Sequence, residues 1–163
     1  MSKILLALDQ STAVTGWALF IDEKLERYGV FSPSGDYLER IAKLCNWVLT
    51  IIKHYNKELK IVIEDIQLQE IGDIKSSQNV VTFKKLAHVQ GALLEIFHEL
   101  EIPYEIVCSS SWKSSCNIKG TKRAEQKKNA QKFILDKYNI NVTEDEADAI
   151  CLGLHTLKNE PFE

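Results

Sequence analysis

The chain has 163 residues, 45% of them apolar, and a formal net charge of −3, which is enough for one sizeable core and short for a two-domain enzyme. Charged residues make up 26%, with only seven Gly and three Pro, so a disordered or low-complexity chain is excluded. Cys45, Cys108, Cys116 and Cys151 are scattered without a CxxC pair, and reduced thiols are expected in place of a disulfide framework or a zinc site.

Residues 4–8 form a short apolar run that predicts a buried strand, ended by Asp9. The run is too short for a signal peptide or a membrane span, and a cytoplasmic protein with no membrane partner is expected. Residues 16–21 and 25–31, parted by Asp22, Glu23 and Lys24, predict a hairpin beside that strand, and Ser32-Pro33-Ser34-Gly35 is a break. Over 36–55, apolar residues at Leu38, Ile41, Leu44, Cys45, Val48, Ile51 and Ile52 keep the spacing of an amphipathic helix that also carries Trp47. Residues 60–64 are a second buried strand ending in an acid, and 67–78 reads as a loop. A long helix follows over 80–100, with Phe97 in its core stripe, then a strand at 104–108, a loop at 109–120 and two helices at 122–138 and 144–157. This order predicts an α/β fold, a mixed five-stranded sheet flanked by helices on both faces, in one domain covering 1–163.

Asp9 and Glu64 each end a buried strand. If these strands are parallel neighbours, both side chains emerge at one edge of the sheet, where open α/β sheets place their sites, although acids also end strands simply because the chain re-enters water there. Thr143 and Glu146 fit a capping box, and acids in a first helical turn suit the helix dipole. Asp148 lies beyond that turn among Ala147, Ala149 and Ile150, three residues from Asp145 and so on the same helix face. Two carboxylates pressed together repel and lose solvation, and a divalent cation removes both penalties. Oxygen ligands without Cys or His select Mg²⁺ or Mn²⁺, and four acids make a two-metal phosphodiester site possible.

Charge is unevenly spread. From Lys113 to Lys132 seven cations face one acid, so that stretch carries +6 and the rest of the chain −9. This fits a polyanion-facing patch, though a solvated helix face would look the same.

The opening Leu6-Ala7-Leu8-Asp9-Gln10-Ser11-Thr12-Ala13-Val14-Thr15-Gly16-Trp17-Ala18 is similar to the motif D-x-S-x-x-x-T-G-W/Y-A of RuvC, the Holliday-junction resolvase family of the RNase H-like superfamily. Val62-Ile63-Glu64 resembles that family's second acidic strand, Lys85–Ala92 the start of its long helix, and Asp145-Glu146-Ala147-Asp148-Ala149 its closing D-x-x-D-A motif. The matches run from about residue 4 to 156 in the family's order and are closest to its short phage-type members.

The resemblance implies an RNase H-like fold, with Asp9, Glu64, Asp145 and Asp148 as ligands for Mg²⁺ or substituting Mn²⁺, two ions per site. It implies a metal-dependent endodeoxyribonuclease that resolves four-way or related branched DNA by paired nicking. A homodimer formed through the 80–100 helix belongs to the same expectation, as does a bacterial host cell if the chain is phage-encoded. Lys113 corresponds to a family lysine near the scissile phosphate. A second such lysine aligns with Gln126, with Lys127 one residue later, and a one-residue offset turns a helical side chain by about 100°. Which of the two faces the phosphate is left open. Lys119, Lys122, Arg123 and Lys128 complete the implied DNA-binding set with Lys113 and Lys127. Where relatives place an aromatic after the second acid, this chain has Asp65, Ile66, Gln67 and Leu68, so loose specificity for branched DNA is expected in place of sequence-selective cleavage.

Other readings remain open at this level. A different RNase H-like nuclease, acting on RNA–DNA hybrids or repair intermediates, would share the four acids, and a non-catalytic junction-binding module would be expected to lack one. An actin-like phosphotransferase needs two such halves. Ser11 and Thr15 fit either phosphate contact or turn hydrogen bonding, and Gly16 either a close backbone approach or a bulge. His54, His88 and His98 are expected on helix surfaces. His155 falls where the family often ends in a His, but lies about 10 Å along the helix from Asp148, which favours a cap or indirect role. Trp112 is expected to pack, with base stacking as the alternative, and Cys116 is expected in an exposed basic loop.

Overall fold

The computed structural model describes residues 1–67 and 77–159, the side chains of 57 and 77–79 apart. Strand β1 (Ile4–Asp9) sorts its side chains by strict alternation, Leu5 and Ala7 to one face of the sheet and Ile4, Leu6 and Leu8 to the other. It is buried on both faces because it is central. It pairs antiparallel with β2 (Thr15–Ile21) and parallel with β4 (Leu59–Glu64). Between β2 and β3 (Lys24–Phe31) the chain reverses through Asp22 and Glu23, both at positive φ, 48° and 66°, the two-residue turn that suits strand twist. With β5 (Tyr104–Val107) parallel to β4, the order is β3-β2-β1-β4-β5.

Helices cover both faces. On one, Leu44, Val48 and Ile52 of α1 (Tyr37–Tyr55) and Val89, Leu93 and Phe97 of α2 (Ser77–Glu99) pack on Leu6, Leu8, Ile61 and Ile63. The start of α1 is fixed by a capping box between Asp36 and Glu39, with hydrogen bonds of 3.0 and 3.1 Å. On the other face, α3 (Ser109–Ser115), α4 (Arg123–Tyr138) and α5 (Glu144–Asn159) bring Trp112, Ala130, Ile134, Ala147, Ile150 and Cys151 onto Leu5, Ala7, Phe20 and Val62.

Three expectations are corrected. The stretch 109–120 is not all loop: it opens with α3, whose Trp112 turns into the core, and seven residues are too few for a periodicity to show. The long helix begins at residue 77, not 80. Cys116 is not exposed: it is buried, its Sγ donating to the Cys151 carbonyl at 3.5 Å. The loop expected over 67–78 falls mostly outside the described residues. None of the described helices is long and apolar enough to cross a membrane.

Candidate active site

Strand parity aims two acids the same way. Asp9 continues the Leu5, Ala7 series and Glu64 follows Val62, so both emerge on the face covered by α3, α4 and α5. Because β1 and β4 are parallel, with Leu8 opposite Ile63, the two acids stand at neighbouring C-terminal strand ends. The other two come from α5, whose start is set by the capping box: Thr143 N–H donates to Glu146 at 2.9 Å and Glu146 N–H to Thr143 Oγ1 at 3.2 Å. Gly16, opposite Asp9 in the β1–β2 register, lets this helix end settle on the sheet, since a Cβ there would run into the Asp145 carbonyl. Close backbone approach, not a bulge, is what this glycine provides.

Asp9, Glu64, Asp145 and Asp148 therefore line one open cleft of about 750 Å³. Lys113, Arg123, Gln126 and Lys127 form its basic wall, and Ile66 with Phe83 and Leu86 of α2 an apolar one. Lys119, Lys122 and Lys128 are exposed and do not line it. Lys127, not Gln126, turns to the acids: its Nζ lies 2.8 Å from Asp148 Oδ2, while Gln126 accepts from Lys113 Nζ at 3.1 Å and donates to the Gly120 carbonyl at 3.0 Å. His155 stands apart from the cleft and contacts Asn159 at 3.1 Å. His54, His88 and His98 are exposed, as the sequence implies.

Residues outside the four acids hold the site in place, and the sequence did not single out Gln10 or Arg40 among them. The amide of buried Gln10 donates to the Glu64 carbonyl at 2.6 Å and accepts from the Glu64 N–H at 3.2 Å, extending the β1–β4 ladder by one rung. Trp112 packs, as expected, but its indole N–H also donates to Glu64 Oε1 at 2.7 Å. Arg40 of α1 reaches the Thr12 carbonyl at 2.5 Å and the Gly35 carbonyl at 2.7 Å, pinning the loop that forms the cleft rim. Ser11 and Thr15 close that loop on themselves, Ser11 N–H to Thr15 Oγ1 at 3.2 Å, which is turn hydrogen bonding. A buried glutamine directly after a strand-ending acid was the readable signal among these. The long-range partners of Trp112 and Arg40 left none.

The electrostatics are those of crowded anions. Burial, and then the charges of Glu64 and Asp148, push Asp9 well above the usual carboxylate range, and its hydrogen bond with Glu64 adds to the rise. Burial also raises Glu64, against the lowering effect of the Trp112 and Asp9 hydrogen bonds. Asp148 is raised by burial, partly offset by Lys127. Burial works against the Lys127 ammonium, but its hydrogen bond to Asp148 and the charges of Asp148 and Asp9 prevail and hold its pKa up.

Among the described residues, no three Asp, Glu, His or Cys side chains stand grouped as a ready-made ion cage. The donor chemistry of the cleft nonetheless fits a hard divalent cation: it offers carboxylate oxygens, and burial together with the charges of Glu64 and Asp148 disfavours the Asp9 anion, a penalty that a cation would relieve.

The architecture is a RuvC-like fold of the RNase H-like kind. A Thermus thermophilus RuvC in complex with a Holliday junction substrate matches 93% of this chain and 91% of its own, with a TM-score of 0.66 and 14% identity. A second T. thermophilus RuvC structure matches 93% and 92%, also at 0.66, with 15% identity. A yeast mitochondrial Holliday junction resolvase matches 93% of this chain and 76% of its own, at 0.53 with 13% identity. Identities this low establish a shared fold. Within that class the chain belongs to the Lactococcus phage M3 protein family, whose profile matches residues 1–157. No curated protein matches the sequence.

Proposed function

We propose that this protein is a divalent-metal-dependent endodeoxyribonuclease that nicks four-way or related branched DNA, acting as a homodimer. The observation that carries the reading is the meeting of four carboxylates and a basic wall in one cleft of a RuvC-like fold. Solved proteins of that fold include a RuvC bound to a Holliday junction substrate. Asp9, Glu64, Asp145 and Asp148 would hold Mg²⁺ or Mn²⁺, with two ions per site. What such an ion supplies when bound is an acidified water and positive charge against the phosphate.

The chain's own residues do the rest. Gln10 and Trp112 fix the backbone and carboxylate of Glu64. Lys113, Arg123 and Lys127 line the wall where a phosphodiester would lie, and their positive charge would offset the negative charge that develops on its oxygens. Exposed Lys119, Lys122 and Lys128 extend the basic surface for neighbouring phosphates. Val80 and Val81 at the start of α2 are 46% and 49% exposed, which supports that helix as the dimer contact.

The test is nicking of four-way, three-way and linear duplex DNA with Mg²⁺, by the chain and by Asp9→Asn, beside an RNA–DNA hybrid. Selective nicking of branched DNA is expected from the wild type alone. Equal activity on all DNA forms, or preference for the hybrid, would replace junction resolution by another nuclease activity, and full activity in Asp9→Asn would remove the site assignment. Sedimentation checks the dimer.

A further inference from the structure

Lys127 does more than face the cleft. Its ammonium is 2.8 Å from Asp148 Oδ2, and both side chains are largely withdrawn from water, 19% and 12% exposed. It also feels the charge of Asp9, which lines the same cleft. Lys113 offers a contrast: it lines the same cleft and its charge is felt by Glu64 and Asp148, but its Nζ is hydrogen-bonded to the neutral Gln126 amide and not to an acid. Of the two cleft lysines, one is placed on the acids and the other beside them.

A buried carboxylate without a counter-charge is costly, and a lysine set against it removes much of that cost. An ammonium and a divalent cation at contact distance from one carboxylate repel each other, so the two compete for Asp148. We infer that Lys127 is an internal counter-cation occupying the divalent-metal position at Asp148, so that metal must displace it to load. This rests on the metal-dependent reading above and adds a regulatory consequence: the free protein carries part of its own counter-charge and binds metal more weakly than it would without Lys127. Displacement turns the same ammonium from the acids toward the cleft, where its charge becomes available to a phosphate.

The experiment measures Mn²⁺ binding to the DNA-free full chain by calorimetry and by electron paramagnetic resonance of free Mn²⁺, without any activity readout. Lys127→Met should bind Mn²⁺ about tenfold more tightly than wild type. Its metal-free form should melt lower, and Mn²⁺ should raise its melting temperature more than that of wild type. Lys127→Arg, which keeps the charge, should bind no more tightly than wild type. Lys113→Met removes an equal charge from the same cleft and should change affinity by about twofold or less, because that charge is not seated on an acid. Should Lys127→Met not fold, Lys127→Gln carries the same expectation. Unchanged or weaker binding by the Lys127 variants, or equal tightening by Lys113→Met, overturns the inference and leaves the nuclease reading standing. Absence of Mn²⁺ binding in every variant overturns the metal-dependent reading and the inference with it.

Discussion

The two faces of the sheet follow different rules. Beneath α1 and α2 the contacts are large and apolar, with Leu44, Val48, Leu93 and Phe97 meeting Leu6, Leu8, Ile61 and Ile63. On the other face small residues dominate where α5 descends: Ala147 and Ala149 are buried, Gly16 gives way to the Asp145 carbonyl, and Gly153 to the Phe20 ring. Volume stabilises the first face, at ~25 cal/mol for each Å² of apolar surface buried. The second gives up volume to bring a helix backbone near the strand ends and to crowd carboxylates there. One face stabilises the chain; the other holds a destabilising cluster that this stability offsets.

The sharpest way to break that contrast is Asp9→Asn. Loss of one candidate ligand should reduce nicking by about a thousandfold, the scale of removing a group that stabilises transition-state charge. The same change should raise the melting temperature of the metal-free chain, because it removes a buried carboxyl crowded by Glu64 and Asp148. The pH dependence has a fixed sign. A carboxyl whose folded pKa lies above its unfolded value favours the native state at low pH, and that contribution fades as pH climbs from about 4 through the folded value. Metal-free wild type should therefore lose this cluster's contribution toward neutral pH, and Asp9→Asn should lose less of it, as melting curves across pH would show. A lower melting temperature in Asp9→Asn at pH 7 would mean that the cluster is not a liability.

Next in size is Gly16→Ala. Its Cβ meets backbone, which cannot rotate away, so α5 must lift. A destabilisation of about 3 kcal/mol is expected, typical of severe overpacking. Displacement of Asp145 and Asp148 from Asp9 should cost about a hundredfold in nicking, since ångström-scale misplacement has that effect. Denaturant unfolding and nicking well below the melting temperature measure the two separately.

Trp112→Phe is a smaller probe of the same face. It keeps the core volume close to native but removes the N–H that holds Glu64 Oε1 at 2.7 Å. Loss of an orienting hydrogen bond behind a ligand typically costs about ten- to a hundredfold in metal affinity or activity, and the lower end is expected, with a Mn²⁺ affinity that falls in step. Glu64 should also titrate higher, because that bond lowers its pKa in the wild type.

Much of this contrast was legible in the residues. Hydrophobic runs ending in Asp9 and Glu64 read as buried strands, and the three-residue spacing of Asp145 and Asp148 put both on one helix face. The capping box at Thr143 was visible as a pattern and is present as hydrogen bonds. What stayed hidden depended on contacts across many residues. Nothing local in Ser109–Ser115 announces a helix, because its reason is Trp112 docking beneath Glu64, 48 positions away. The ambiguity between Gln126 and Lys127 was rotational and needed the position of α4 against α5 to resolve it. Cys116 looked exposed because its neighbours are polar, yet the middle of α5 covers it, where its Sγ donates to the Cys151 carbonyl.

Leu93→Ala tests whether the faces are separable, and its expected effect on chemistry is the smallest. Leu93 is fully buried between α2 and the sheet, in the cluster with Ile61 and Ile63. Truncation there leaves a cavity and should cost about 3 kcal/mol, comparable to Gly16→Ala. The melting temperature of a chain this size should fall by about 9 °C in both variants. At a temperature where both remain folded, however, Leu93→Ala should nick at the wild-type rate per folded molecule, since none of the cleft residues Asp9, Glu64, Asp145, Asp148 or Lys127 belongs to its cluster. Equal stability loss with unequal activity loss would locate the cleft's precision in the close packing of α5. If Leu93→Ala lost activity in proportion to Gly16→Ala, the two faces would be mechanically one, and α2, which also contributes Phe83 and Leu86 to the cleft wall, would be the element that couples them.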